Sequence, residues 1–509
     1  MPAKRSQTTA TGVPSVPKTI RYVRQPPKAD ALVESLRAIG YTVGDAIADL
    51  IDNSVAAKAK NIWLDFDWSP GGNVRVTLVD DGHGMTSSFL EKAMTVGGRR
   101  PSEQREKTDL GRYSMGLKTA SWSQAKGLAV VTKSKDGEMS CAFWDLDKVA
   151  ETGDWDLGIG CPEEAHRAYE TVSKLKHGTA VVWYKVDRMI GPTSEDDTAT
   201  REKFNKLVAG VGEHLRGAFH EFMQDKGLRI FLNGKENQLT PWDPCLRESS
   251  ELVMEETIPT DKGDIHVEAY VLKDHRKMSE SEAKDAEHTK GWIEHQGFHV
   301  YRANRLILDG TWFELAKKHP STNAARIALH LPNTMDSEWH VDVKKATMIP
   351  PLAAREKLRR IADFTRKQAK EVIRRKGQLE RRTHGDTAIV WRRRFEDKRI
   401  VYRINREHKV IEEYLSNEET APVARDIIAL IEKSLPIDLI RTDLHESESP
   451  VGQPQAAALD KELLALAQAQ VERRMQKGMT RKQAIQFVIG IEPFCDSAEI
   501  QQALRESND

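Results

Sequence analysis

Three short blocks within residues 38–121 constrain this chain more than any other feature. They are Ala48-Asp49-Leu50-Ile51-Asp52-Asn53-Ser54, Asp80-Asp81-Gly82-His83-Gly84-Met85 and Gly111-Arg112-Tyr113-Ser114-Met115-Gly116-Leu117-Lys118-Thr119. The first lies late in a stretch whose apolar residues, Leu32, Leu36, Ile39, Val43, Ile47, Leu50 and Ile51, recur at steps of three and four, as on one face of a helix. Gly40-Tyr41-Thr42 divides that stretch into two helices, with Thr42 as the cap of the second. The second block follows two strands, 61–66 and 74–79, joined through Ser69-Pro70-Gly71-Gly72. The third is a glycine-bearing turn that opens another helix. Any one of them alone is an ordinary loop or a solvated helix turn. In this order and spacing they read as one nucleotide site.

The residue types explain why. Asp49 and Asn53 are four apart and share a helix face. A carboxylate beside an amide oxygen can hold a water and a magnesium ion, which prefers oxygen ligands and keeps several waters. That carboxylate can orient or deprotonate a water attacking a terminal phosphate. Asp80 ends an apolar strand, where it can accept from an adenine amino group, and Gly82 and Gly84 let backbone approach a flat ligand closely. Gly111 to Gly116 offers backbone N–H groups ahead of a helix, an arrangement that binds phosphate. Lys118 can add a point charge there. No Gly-Lys-Ser/Thr follows four variable residues, so this is not a Walker A loop.

These residues resemble the Bergerat-type ATP-binding fold of gyrase, MutL, histidine kinases and MORC proteins, the GHKL superfamily. The family's Glu-x-x-x-Asn helix aligns with Asp49 and Asn53, its Asp-x-Gly-x-Gly with Asp80, Gly82 and Gly84, and its Gly-x-x-Gly-x-Gly turn with Gly111, Ser114 and Gly116. A Gly-Thr before a late strand aligns with Gly178-Thr179. The resemblance implies ATP and Mg2+ as cofactors. Asn53 would hold the metal, Asp80 would read adenine with support from Thr179, and Met85 to Gly116 would be a lid. Met85, Leu117 and Lys118 complete the nucleotide contacts. Over residues 30–350 the likeness is to bacterial MORC-like and MutL-like ATPases. Ile230 to Gly234 and Tyr301 to Ile307 match the transducer domain, whose lysine reaches the γ-phosphate. Lys344 and Lys345 are the candidates, with Lys345 preferred. Two departures stand out. Asp49 occupies the glutamate position, one methylene short, and Ser114 replaces a glycine. Misplacement by ~1 Å costs about a hundredfold in rate, so slow, magnesium-dependent hydrolysis is expected.

The expected architecture is α/β (α+β). A disordered arm (1–27) precedes a Bergerat-type α/β sandwich ATPase domain (28–190). A transducer-like, S5-type α/β domain (191–350) follows, with residues 202–223 as a helical connector into it. Then come a basic helical region (351–440), a linker (441–460) and C-terminal helices (461–509). At 509 residues the chain is too long for one core. Lys+Arg and Asp+Glu both number 77, so any attraction to nucleic acid must be regional. It is concentrated at residues 355–409, where 20 Lys/Arg face 8 Asp/Glu. That excess suits DNA phosphates, or else a solvated helix face or an acidic protein partner. Trp391 and Tyr402 nearby suit base stacking or a core. The four cysteines, Cys141, Cys161, Cys245 and Cys495, form no CxxC pair, which fits a reducing, cytoplasmic setting. No apolar run approaches the ~20 residues of a membrane helix.

The family likeness further implies an ATP-dependent homodimer that clamps DNA, in a bacterial restriction or anti-phage defence system with separate nuclease subunits. A non-hydrolysing sensor or scaffold is the alternative. A chaperone or histidine kinase on the same fold is the third, disfavoured because residues 1–37 contain no histidine.

Overall fold

The computed structural model describes residues 22–25, 27–69, 73–97, 116–190, 198–273, 278–336, 338–339, 348–384, 389–396, 399–437, 440, 461–491 and 493–506. Its chain divides into two units. The first takes the described residues up to Trp242 together with Arg302–Ile307 and those of Pro332–Met348, and the second takes the remainder.

In the first unit, helices α1 (Ala29–Arg37) and α2 (Val43–Ala56) form as the periodicity predicts. Thr42 caps α2 by accepting from the Asp45 backbone N–H. Strands β1 (Asn61–Ser69) and β2 (Asn73–Asp80) pair antiparallel. Helices α3 (Ser87–Met94) and α4 (Gly116–Trp122) follow, then strands β3 (Ala125–Lys133) and β4 (Met139–Asp145). Helix α5 (Leu146–Thr152), strand β5 (Gly158–Ile159), helix α6 (His166–Ser173) and strand β6 (Gly178–Val186) complete the expected domain.

The unit does not stop near residue 190. Helix α7 (Thr198–Ala218) packs on α2, and after α8 (His220–Asp225) strand β7 (Arg229–Leu232) joins β1 in parallel. The segment expected to lead into a second domain therefore belongs to the first. Its apolar face, Phe204, Val208, Val211 and Leu215, finds its core there, and β1 offers a free edge for β7.

The seven-stranded sheet runs β5-β4-β3-β6-β2-β1-β7. Period-two alternation sends Ile62, Leu64, Val76, Leu78, Leu128, Val130 and Trp183 to one face, against α1, α2, α4 and α7. Val79, Ala129, Val131, Ala180 and Val182 go to the other, against Ala165, Ala168 and Val172 around α6. The result is the sandwich expected of the ATPase domain.

The second unit holds strands β8 (Ser250–Ile258) and β9 (Ile265–Leu272), helix α9 (Glu280–Glu287), all but the last residue of strand β10 (Gly297–Arg302), the later half of β11 (Arg305–Thr311) and strand β12 (Ala325–Leu331), and the sheet order is β11-β10-β12-β9-β8. Helix α10 (Leu352–His384) lays Ala354, Leu358, Ile361, Ala362, Thr365 and Ala369 against this sheet. The basic region is not helical throughout. Strands β13 (Trp391–Glu396) and β14 (Arg399–Ile404) form an antiparallel hairpin, as their aromatic and β-branched residues favour. Helices α11 (Lys409–Ser416) and α12 (Ala421–Ser434) follow it. Helices at Lys461–Gln476, Arg481–Val488 and Ala498–Glu506 close a small core around Ala467, Val471, Ile485 and Val488, with Thr480 in a capping box. Among the described residues no helix is long and apolar enough to cross a membrane.

Candidate nucleotide site

Helix α2 and strand β2 carry the first two sequence blocks to one place. Asp80 ends β2 only 3 % exposed. Its Oδ2 accepts from the Ser54 hydroxyl at 2.9 Å and its Oδ1 from the Gly82 N–H at 2.8 Å. Burial pushes its carboxyl up to about 6, although the Gly82 and Ser54 bonds pull the other way. Thr179 is its direct cross-strand partner on β6. The Thr179 hydroxyl lies 3.2 Å from that of Thr132, which donates to the Gly178 carbonyl at 3.1 Å and accepts from the Met85 N–H at 2.9 Å. A buried carboxylate, two threonines and the Met85 backbone thus form one polar seam beside β2, β6 and β3.

The glycines of the second block are spatial requirements. A Cβ at Gly84 would fall 1.9 Å from the Lys133 carbonyl, and its φ of +67° disfavours any side chain. A Cβ at Gly82 would meet Asp80 Oδ1 at 2.7 Å and Ala57 Cβ at 2.8 Å. His177 Nδ1 approaches the Gly82 carbonyl at 2.6 Å, and the His83 N–H donates to the Ala57 carbonyl at 3.0 Å. Asp81 anchors the turn by accepting from the Asn61 and Lys60 N–H groups and from Asn61 Nδ2.

About a turn and a half back along α2, Asp49 is also buried. Its Oδ2 accepts from the Tyr41 hydroxyl at 3.0 Å, and its Oδ1 lies 3.3 Å from Arg305 Nη1. The same Nη1 donates to Asp52 Oδ2 at 2.5 Å, and the guanidinium carbon stands 5.5 Å from the Phe219 ring centroid. Burial opposes the Arg305 charge, but Asp52 and Asp49 outweigh it and hold the guanidinium above its usual range. Burial and the Asp49 charge likewise drive the Tyr41 phenol well upward, so it remains a hydroxyl donor. A Cβ at Gly116 would sit 3.5 Å from Asp49 Oδ2, which brings the start of α4 alongside.

Asn53 is exposed, and its Nδ2 donates to the Asp49 carbonyl at 3.0 Å. This leaves its Oδ1 as an oxygen donor. Met85 and Leu117 are partly buried against the main core. Lys118, the candidate point charge for the phosphates, is a buried lysine. It is 2 % exposed, its ammonium donates to the Ala93 carbonyl at 2.7 Å, and burial pushes its pKa down to about 8. Gly111, Ser114, Lys344 and Lys345 lie outside the described residues, as does most of the expected lid.

Four residues of this arrangement were not singled out as site residues: Ser54, Thr132, Tyr41 and Arg305. Ser54 adjoins Asn53, and its position beside the motif was a usable signal. Thr132 is one threonine in an apolar strand and has no local signature; Arg305 lies in the Tyr301 to Ile307 segment, but at 256 positions from Asp49 nothing local links the two.

Two comparisons bear on this geometry. Residues 41–179 match the family model described as histidine kinase-, DNA gyrase B-, and HSP90-like ATPase. The chain is also 26 % identical over 204 residues to ATPase MORC2 of Homo sapiens, across 39 % of this chain and 19 % of that protein. The chain therefore aligns with about a fifth of that relative's length. The matched interval begins at Tyr41 and ends at Thr179, so it encloses Asp49, Asn53, Asp80 and the Thr132–Thr179 seam. Residues 41–179 of the first unit are thus similar to histidine kinase-, DNA gyrase B- and HSP90-like ATPase domains, and the chain shares a stretch of sequence with a MORC ATPase.

Proposed function

We propose that the chain is a slow, Mg2+-dependent ATPase of MORC/MutL type, which dimerises on binding ATP and acts on DNA. The observation that carries this reading is that helix α2 supplies both ends of the chemistry. Its Ser54 holds the buried Asp80, and its Asp49 faces the start of α4.

In this reading Asp80 accepts from the adenine amino group, with Thr179 beside it, and Gly82 and Gly84 let the turn pack closely against Asp80 and the Lys133 backbone. Asn53 Oδ1 is a hard oxygen donor and fits Mg2+, which needs few protein ligands once phosphates are present. The ion, when bound, would neutralise charge on the phosphate oxygens. Asp49 accepts a hydrogen bond from the attacking water and orients it. Its short side chain is the reason for slow turnover.

Residues 355–409 are the proposed DNA contact. Several of their described arginines already serve the fold: Arg360 holds Glu256, Arg366 pairs with Asp363, Arg392 holds Glu407, and Arg403 and Arg406 share Glu432. The exposed Lys357, Arg359, Lys367 and Lys370 on α10 stay available to phosphates. A restriction or anti-phage setting with separate nuclease subunits follows from the likeness to bacterial MORC-like proteins.

The test measures ATP turnover with and without DNA, alongside mass with a non-hydrolysable ATP analogue. DNA-stimulated turnover and analogue-dependent doubling of mass support the clamp. Nucleotide binding with no turnover supports the second reading, a non-hydrolysing sensor, which is favoured by the short, doubly held Asp49. DNA affinity should fall steeply as salt rises, and affinity insensitive to salt overturns the electrostatic contact.

A further inference from the structure

The hydrolytic carboxylate is held from outside the three motif blocks. Tyr41 takes one oxygen of Asp49, and Arg305 lies against the other. With both oxygens engaged, the plane of the carboxylate is set. An aspartate that must do a glutamate's work needs this, because it reaches less far and tolerates less error in direction.

Arg305 is itself placed with unusual redundancy. It follows the tight turn Arg302-Ala303-Asn304-Arg305, in which Ala303 and Asn304 both have positive φ, at +48° and +69°. Arg302 makes a two-pronged bond to Asp336, with both contacts at 2.7 Å, and Asn304 Nδ2 donates to Glu221 at 3.1 Å. Asp52, one turn further along α2 than Asp49, holds Arg305 more tightly than Asp49 does, at 2.5 Å against 3.3 Å. The shorter bond anchors the guanidinium, and the longer one is directed at the reactive group.

We propose that Arg305 is the positioning residue for the hydrolytic carboxylate, orienting Asp49 from an anchor on Asp52. Seating of the Arg302–Arg305 turn then becomes a requirement for turnover and not for nucleotide binding. The adenine seam of Asp80, Ser54, Thr132 and Thr179 makes no use of the turn. This inference rests on the reading of Asp49 as the carboxylate that orients water.

The experiment uses the full chain and the variants Arg305→Met, Arg305→Lys, Asp52→Asn and Asp49→Asn. Each is assayed for steady-state ATP turnover and for affinity towards a fluorescent non-hydrolysable ATP analogue with Mg2+. Arg305→Met should lower kcat at least about tenfold while the analogue dissociation constant stays within about twofold, the signature of an interaction that matters to the transition state alone. Arg305→Lys keeps the charge and should restore most of that loss. Asp52→Asn removes the anchor and should lower kcat about threefold to tenfold, again without loss of affinity. An unchanged kcat in Arg305→Met overturns the inference. So does a joint loss of kcat and affinity that lysine does not rescue, which marks a purely structural ion pair. The underlying reading fails separately, if Asp49→Asn turns over ATP at the wild-type rate. A wild-type chain without turnover overturns both.

Discussion

The two ends of the candidate nucleotide site are built in different ways, although both draw on helix α2. At the adenine end the partners come from neighbouring strands. Asp80 and Thr179 are paired across β2 and β6, and Thr132 sits on β3 in register with Thr179. Their geometry is a consequence of sheet hydrogen bonding. At the proposed hydrolytic end, Asp49 meets Tyr41 from before the helix and Arg305 from a distant turn. Nothing in the sheet ladder enforces those contacts. On the proposed roles, nucleotide binding would rest on the fold's most repetitive part, whereas turnover would depend on one long-range contact. Binding and hydrolysis should therefore separate under mutation.

The sharpest break in that comparison comes from Gly84. Gly84→Ala places a Cβ against the Lys133 carbonyl at positive φ, so the β2–α3 connection must shift. A loss on the order of 3 kcal/mol in unfolding free energy is expected, together with loss of nucleotide binding. Chemical denaturation and analogue titration check it, and full stability in the variant would remove the steric account.

Next come the paired isosteric variants. Asp80→Asn should weaken analogue binding by about 2 kcal/mol, or some thirtyfold, because a charged hydrogen-bond acceptor is lost. Asp49→Asn should leave binding within about twofold and reduce turnover about a hundredfold. If both variants lose binding equally, the two ends are one cooperative unit and the contrast fails.

A smaller effect follows from the raised Asp80 carboxyl. With its pKa at about 6, the adenine-accepting form is depleted as pH falls from 7 to 5, so analogue affinity should drop about tenfold. The folded state behaves in the opposite sense. Its pKa lies above the unfolded value of 3.8, so the stabilisation from protonation is complete below 3.8 and is lost as pH rises through about 6. Asp80→Asn should abolish this dependence of affinity on pH, and a persistent dependence would assign it to another group.

The smallest expected effect is that of Thr132→Val. It leaves the Met85 N–H without its hydroxyl partner and should cost about 1–2 kcal/mol of stability, with affinity changed by less than about threefold. A larger loss of affinity would make Thr132 part of the nucleotide contact and tighten the adenine end further.

Much of this was legible in the sequence because the relevant signals are local. The helix period around Asp49 and Asn53, the strand running into Asp80, and the cap at Thr42 all depend on residues within a few positions of one another. The boundary near residue 190 was not legible. Whether the apolar stripe of α7 faces one sheet or another depends on which surface is open, and β1 had an open edge for β7. The Trp391–Ile404 hairpin was obscured by its arginines, which dominate the composition without setting the backbone. Lys118 illustrates the same limit at one residue. Its place after a glycine turn reads as a phosphate contact, and nothing local told that its ammonium would be buried and donate to the Ala93 carbonyl.

By itself, the sequence pointed to one nucleotide site in three blocks, because spacing on a helix and alternation on a strand dictate which side chains share a face. Only the tertiary structure decided what holds the carboxylates. Asp80 became a buried group with a raised pKa because the fold closes over it, against the pull of the Ser54 and Gly82 hydrogen bonds. Asp49 acquired Arg305 because a turn more than two hundred residues away is pinned beside α2. Side-chain periodicity is a local property of the chain. Charge environment is a property of whatever the fold brings within a few ångströms, and here that includes a residue outside the three motif blocks.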